Sequence, residues 1–472
     1  MGKIVKKLIC TLFIVILLTV ISVLAYASSP ITSENRQVSF QGGSRQVRMV
    51  WVDLNSRNVR VQNATANNRL LTVAPLRTIA ESARQSGDGV MAAINGTFFD
   101  PVATGYSGSN VYWGIIKNNG VYVKTGGSDL VMGFSPDNRV RVGTPQLTIR
   151  LHREGSRTLN AWSINHSFGG EEAVVVYTSA FGTVTPYHVA VSIVVRNGVV
   201  TEVRNGYGPI FADGFTITVN SHMPAFNFSV GDRVTLNVEY ADAAWREYTT
   251  MLAGGSRLVE NGNIPSVFPP HSDTFVNSSA QRSFIGVTAD NRLVMGTVGG
   301  VTITQLAEIV RNLGAVDAMT LDGGASSGLY FNGRYITSTG RPLVTALIFA
   351  ETIASARPAI TVTINGEPIS FDVQPQIIND SVMVPMRVIF EEMGATVLWD
   401  AQTRTATAEK GETTVVLQAG SLISTINGAH RQLIQPGIVI NGATLVPLRF
   451  VAEAFGGSVE WDSASNTAVI SW

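Results

Sequence analysis

The chain has 472 residues, more than one hydrophobic core usually serves, so two or three domains are expected. Apolar residues make up 45% and charged residues 14%, with 45 glycines, which excludes a disordered chain and suits strands joined by many turns. Lys plus Arg and Asp plus Glu both number 34, so no net field draws in nucleic acid or an anionic membrane.

Lys3, Lys6 and Lys7 precede an unbroken apolar run from Leu8 to Leu24, and Ala25-Tyr26-Ala27 has the small-x-small pattern of a cleavage site. Residues 1–27 therefore read as a signal peptide cut after Ala27, with an uncleaved N-terminal anchor as the alternative. Either way the body is expected to be secreted or held at the cell surface, with no further membrane span. Cys10, the one cysteine, lies in this segment, so the body holds no disulfide and rests on core burial.

From Arg36 to Ala354 short alternating runs such as Val47 to Leu54 and Val189 to Val195 predict strands. Asn119-Gly120, Asn197-Gly198, Asn205-Gly206, Asn261-Gly262 and Asn332-Gly333 predict tight turns between them. Helices are expected near Pro75 to Gln85 and after Thr302. There Thr302-x-x-Gln305 forms a capping box, and Leu306, Ile309, Val310 and Leu313 form a buried stripe before Gly314.

Three apolar segments end in polar, glycine-bearing loops: Val90 to Asp100, Gln281 to Gly286, and Ala318 to Ser327. In the third, Asp322 leaves a short buried strand, where desolvation lifts a carboxyl toward a general acid, or where it ligates a cation. Gly323 and Gly324 let backbone approach a ligand, and their amides with Ser326 and Ser327 are candidate donors to phosphate oxygens. Arg282, in an otherwise apolar strand, is the candidate bidentate partner of that phosphate, and Asn95 the group that orients a sugar hydroxyl or the attacking water. Taken alone, Asp-Gly-Gly is as well read as an ordinary tight turn.

Between Ile360 and Trp472 the sequence repeats itself at an offset of 62: Val384-Pro385-Met386-Arg387 returns as Val446-Pro447-Leu448-Arg449, and Gly394 to Asp400 as Gly456 to Asp462. Ile364-Asn365-Gly366, Asn379 and Glu391 return as Ile426-Asn427-Gly428, Asn441 and Glu453. Each copy reads strand, strand, helix, strand, strand, with proline at the first helical position and Met386, Ile389, Phe390 and Met393 on one face. Trp399 and Trp461 are read as packing residues before sugar platforms, and Arg387 and Arg449 as caps on neighbouring elements before anion ligands. Residues 355–359 supply a short Pro-containing linker. The expected class is α+β: a strand-dominated mixed-sheet catalytic domain over residues 36–354, then a small duplicated α+β module over 360–472.

In order, Ile94 to Phe99, Gly254 to Gly262, Arg282 to Gly286 and Leu313 to Ser327 resemble the phosphodiester glycosidase family, from about Val90 to Phe349. That resemblance implies hydrolysis of a glycosyl-1-phosphodiester such as that of N-acetylglucosamine, on or from cell-surface glycans. It implies Asp322, Asn95 and Arg282 as catalytic residues, with Gly96, Phe99, Asp100, Gly323, Gly324, Ser326 and Ser327 against substrate. The family often has His-Pro before the arginine and a third glycine after Asp-Gly-Gly; this chain has Ala280-Gln281 and Ala325. The lost imidazole keeps a rival reading open, a catalytically inactive binder of surface polysaccharide or phosphodiester, and a third in which all three loops are plain turns. Asp100 and Asp317 are the candidates for a second carboxylate.

The C-terminal segment resembles the copper amine oxidase N-terminal-like stalk domains, which implies a spacer or a cell-wall attachment. His430 is its single histidine, too few for copper(II). His152, His166, His188, His222, His271 and His430 lack zinc-binding spacing, and no G-x-S-x-G elbow is present. No metal site or cofactor is expected; a carboxylate-bound calcium or magnesium ion is compatible with the motifs without being required.

Overall fold

The computed structural model describes residues 29–85, 87–101, 111–126, 130–155, 158–166, 173–219, 228–353, 360–378, 381–440, 442–463 and 465–472. The expected signal segment at 1–27, the expected linker at 355–359, His222, Asn379 and Asn441 lie outside the described residues. Among the described residues no helix is long and apolar enough to cross a membrane.

The structure is strand-rich, as the alternating runs and Asn-Gly pairs predict. Asn119, Asn197, Asn261 and Asn332 each take positive φ followed by a positive-φ glycine, the geometry that matches hairpin twist. Asn205-Gly206 departs from this: Asn205 closes strand Val199–Asn205, only Gly206 has positive φ, and no hairpin follows.

Two antiparallel sheets make the platform of the N-terminal domain. The first runs, in spatial order, Ile31–Phe40, Gly43–Asp53, Arg292–Val301, Ala280–Thr288, Ala315–Leu321 and Arg257–Val259. The second runs Arg334–Thr337, Leu329–Phe331, Asp88–Asn95, Thr345–Thr352 and Val59–Thr65. Apolar residues of both sheets, among them Val50, Ile285, Met319, Ile94 and Phe349, belong to one buried core. Neither is the mixed sheet expected; in this domain parallel pairing joins only Ser163–Ile164 to Val175–Tyr177 among the described residues. Short hairpin links account for the antiparallel pairing of Ile31–Phe40 with Gly43–Asp53, Ala280–Thr288 with Arg292–Val301 and Leu329–Phe331 with Arg334–Thr337.

Helix Ile303–Asn312 covers the outer face of the first sheet. Its N-terminus carries the full Thr302/Gln305 capping box, and Leu306, Ile309 and Val310 are wholly buried against Val47, Phe284 and Val298. Each such side chain contributes about 1.5–3 kcal/mol by leaving water. A shorter helix, Leu76–Ser82, packs Leu76, Ile79 and Ala80 against the second sheet. A second core belongs to the sheets between, which include Leu147–Arg153, Val191–Arg196 and Val234–Tyr240.

From residue 360 onward the elements recur at the sequence offset. Helices Met386–Glu392 and Leu448–Ala454 start 62 residues apart, as do strands Thr396–Asp400 and Ser458–Asp462. Strands Ser381–Pro385 and Ala443–Pro447 pair antiparallel, strand Thr361–Ile364 runs parallel to Thr467–Ser471, and both halves feed one core. Pro385 and Pro447 are the helix N-caps and not the first helical residues, since each also ends its strand. Trp399 and Trp461 are exposed, contrary to the packing expectation, although each stands opposite a buried alanine, Ala406 or Ala468, on its hairpin. Arg387 does cap a neighbour: its Nη1 donates to the Val397 carbonyl.

Candidate active site

The ends of three strands meet where the two sheets approach. In the first sheet Ser283 stands opposite Leu321, so Asp322 emerges beside the Arg282-Ser283 end of strand Ala280–Thr288. In the second sheet strand Asp88–Asn95 ends on Asn95. The Asn95 amide ties the ends together: its Nδ2 donates to the Asp322 carbonyl at 2.7 Å, and its Oδ1 accepts from Ser283 Oγ at 2.8 Å and Gly328 N at 3.1 Å. One side chain thereby holds the loop from Asp322 to Gly328 at both ends.

This arrangement corrects the role expected of Asn95. It is wholly buried and its carbonyl oxygen is saturated by protein donors, so it positions the loop instead of a sugar hydroxyl or water. Gly96 is likewise a packing residue. A Cβ there would overlap Thr345 Oγ1, while its carbonyl meets Asp322 N at 3.4 Å and its amide the Thr345 carbonyl at 3.0 Å.

Asp322 is 7% exposed and lines a narrow pocket of about 120 Å³ with Thr97, Phe99, Ser326 and Thr345. Burial pushes its carboxyl above the usual carboxylate range, against the opposing pull of the Ser326 hydroxyl and Arg341. Arg341 carries no signal in the sequence beyond a turn-forming Thr-Gly-Arg-Pro loop, yet it is the guanidinium of the site. Its Nη2 meets Asp322 Oδ2 at 3.0 Å, its Nε donates to Ser326 Oγ at 2.7 Å, and its plane lies 4.4 Å from the Phe99 ring. About a third of this side chain faces solvent, so it can turn a donor toward an arriving anion.

Arg282 does not fill the position expected of it. Its Nη2 donates to the Phe275 and Ser278 carbonyls at 3.0 and 2.7 Å, and its guanidinium lies 4.3 Å from the Phe275 ring. It thus satisfies carbonyls left open at the end of the short helix Asp273–Asn277, a use that sequence did not signal. It remains near the loop: its Nη1 lies 3.8 Å from where a Cβ on Gly323 would stand, and its buried Nε has no partner among the described residues.

The other predicted substrate residues divide. Ser326 is buried and shared between Asp322 and Arg341. Phe99 is the ring beneath Arg341. Gly324 has φ +59 with nothing within 4 Å of a Cβ position, which leaves open space beside the loop. The Gly323 amide bonds the Asp322 carboxyl, so it is committed within the loop and not toward a phosphate. Ser327 is buried with an unpartnered Oγ, away from the pocket lining. Asp100 pairs in a short ribbon with Val111 and does not line the pocket. Asp317 is half-buried and bonded to Arg257 at 3.0 Å, far along its strand from the loop. The pocket's described lining therefore holds one carboxylate, which an arginine already faces. A divalent ion there would have to displace Arg341.

His271 is the second residue that sequence reading passed over. Its ring lies 4.1 Å from Phe275 and 5.2 Å from Phe98, and its buried Nε2 has no hydrogen-bond partner among the described residues. Burial, then the nearby charge of Arg282, draws its pKa down to about 4, so the ring is neutral at ordinary pH. Its Nε2 and Thr320 Oγ1 both reach to 2.5 Å of a Cβ on Gly255, which is why the Gly254-Gly255 motif needs a glycine there. An imidazole absent beside Arg282 in sequence is thus present beside it in space, two residues up the strand from Asp322.

The comparisons agree with this architecture. The phosphodiester glycosidase family matches residues 190–350, and the copper amine oxidase N-terminal domain family matches residues 363–470. No curated protein matches the chain in sequence. Among solved structures, a hypothetical protein from Synechocystis is similar with 22% identity and a TM-score of 0.60, over 68% of this chain and 62% of that one. A protein from Burkholderia pseudomallei is similar with 17% identity and a TM-score of 0.53, over 65% of this chain and 74% of that one. The catalytic domain of zebrafish N-acetylglucosamine-1-phosphodiester alpha-N-acetylglucosaminidase, auto-inhibited by its pro-peptide, has 14% identity and a TM-score of 0.34, over 68% and 83%. The first two share the fold.

Proposed function

We propose that this chain, with a phosphodiester glycosidase segment followed by a copper amine oxidase N-terminal segment, is an exported hydrolase of glycosyl-1-phosphodiesters on surface glycans. The observation that carries the reading is the Asp322 carboxyl. It is buried, lifted toward protonation, and held against Arg341 and Ser326 inside the segment that matches the glycosidase family. Arg341 swings from Asp322 to the phosphate, and that negative charge raises Asp322 further, leaving a proton to give to the departing oxygen. Water adds at the anomeric carbon, the bond from that carbon to the phosphate oxygen breaks, and the products are free sugar and a phosphomonoester. Because phosphate is a good leaving group, a single acid suffices where two carboxylates are usual. His271, neutral and with Nε2 unsatisfied by protein, serves as hydrogen-bond or proton acceptor for the water.

The expected leader at residues 1–27 supports export, and the 62-residue recurrence supports a duplicated stalk that spaces the enzyme from the wall. A rival reading, an inactive binder of the same phosphodiester, draws on the single carboxylate of the pocket. A synthetic α-N-acetylglucosaminyl phosphodiester separates the two. Wild type should release sugar, and Asp322→Asn should lose at least about 100-fold in kcat while melting near wild type. Tight binding without release by wild type would favour the binder, and full activity in the variant would remove Asp322 from the mechanism.

A further inference from the structure

A second concave site lies away from Asp322, where the C-terminal module meets the N-terminal domain. It is a cleft of about 340 Å³ counted open to solvent, and both units supply its walls. From the N-terminal domain come His152, Glu154, Asn197, Arg233 and Thr235; from the module come His430, Arg431 and Gln432. The wall is built on register. Thr235 stands directly opposite His152 across the paired strands Leu147–Arg153 and Val234–Tyr240, so both side chains leave the sheet on the same face. Arg233, two residues before Thr235, follows on that face. The His152 and His430 rings meet edge to face at 5.2 Å across the joint.

Two features of the cleft point to a ligand. Two guanidiniums and two imidazoles converge with one carboxylate, Glu154, which stands 3.7 Å from Arg233. Thr235 lines the cleft, and its buried hydroxyl, on a residue 6% exposed, finds no partner among the described residues. A buried hydroxyl without a partner is unfavourable by itself and becomes favourable once a ligand accepts its proton. The Gln432 side-chain carbonyl accepts from Leu236 N at 3.0 Å, which leaves its amino group uncommitted by that bond and available as another donor.

We infer that this joint is a binding site for the oxyanion group of a ligand, a carboxylate or a phosphate, held by Arg431, Arg233, His430 and the Thr235 hydroxyl. The ligand bridges the two units, so occupancy also fastens the module to the domain. This site is independent of the phosphodiester reading and of the Asp322 loop.

The test is calorimetric titration of the whole chain with inorganic phosphate and, separately, with glucuronate, using glucose as the neutral control. Either anion should bind while glucose does not, and which one binds identifies the source of the oxyanion. Arg431→Gln and Thr235→Val should each weaken that binding about tenfold or more, and Asp322→Asn should leave it intact. Thr235→Val is isosteric and removes an unpaired hydroxyl, so it should melt no lower than wild type without ligand. That separates lost recognition from lost folding. The inference fails if neither anion binds, if binding survives both cleft substitutions, or if Asp322→Asn abolishes it.

Discussion

At the scale of single residues, the site sets two titratable groups moving in opposite directions. Burial raises the Asp322 carboxyl, while burial and Arg282 hold the His271 imidazole down to about 4. A carboxyl shifted toward protonation and an imidazole shifted toward neutrality are the opposite adjustments that acid and base roles need. The imidazole also makes a prediction about stability. The unfolded chain takes up a proton on His271 near pH 6.5, and the folded chain refuses it until about 4, so its contribution is whole above pH 6.5 and is lost as pH falls toward 4. Partial exposure of the ring limits this to about 1 kcal/mol. Urea midpoints at pH 7 and pH 4.5 should therefore differ less for His271→Asn than for wild type. Equal pH dependence in both would show that the imidazole is not held down by its surroundings.

At the scale of elements, the sequence shows which strands end in chemistry but not which side chains close the site. Asn95, Arg282 and Asp322 stand out because each is polar at the mouth of an apolar run, and the structure brings those mouths together. What the side chains do there is set by tertiary partners that no local pattern encodes: Asn95 is committed to Ser283 and Asp322, 188 and 227 residues away. Arg282 turns to helix-end carbonyls that exist only once Asp273–Asn277 has folded, and Arg341 becomes the site's guanidinium from a loop with no periodicity. By contrast the Thr302/Gln305 box and the Asn-Gly turns are local devices, and local sequence reveals them. The clasp makes its own prediction. Asn95→Ala strands the Ser283 hydroxyl, the Gly328 amide and the Asp322 carbonyl in a buried place and should destabilise the fold by about 2–4 kcal/mol. Denaturant titration measures it; a loss under about 0.5 kcal/mol, the range of an ordinary surface change, would mean that the loop is held by other contacts.

At the scale of the whole molecule, the module is docked against the domain. Gln432 bonds the backbone of strand Val234–Tyr240, Gln435 bonds the Asn119 carbonyl, and Arg404 meets Glu247 at 3.1 Å. Of these the ion pair, about a quarter to a third exposed, contributes least, because water still screens it. The closest fit is steric: at the tip of hairpin turn Asn119-Gly120, a Cβ on Gly120 would stand 2.5 Å from Pro436 Cγ of the module. Gly262 occupies the same place in the Asn261-Gly262 turn, with φ +79 against +89 for Gly120, and nothing lies within 4 Å of its Cβ position. The two glycines share the backbone penalty of about 1 kcal/mol that alanine brings at positive φ. They differ only in what the added carbon meets. Gly262→Ala should therefore cost that strain alone. Gly120→Ala should cost the strain and also lift the module from the domain, seen as earlier proteolytic release of the C-terminal unit and a larger radius of gyration in solution scattering. If both variants release the module at the wild-type rate, the turn does not carry the joint, and the docking rests on the glutamine bonds.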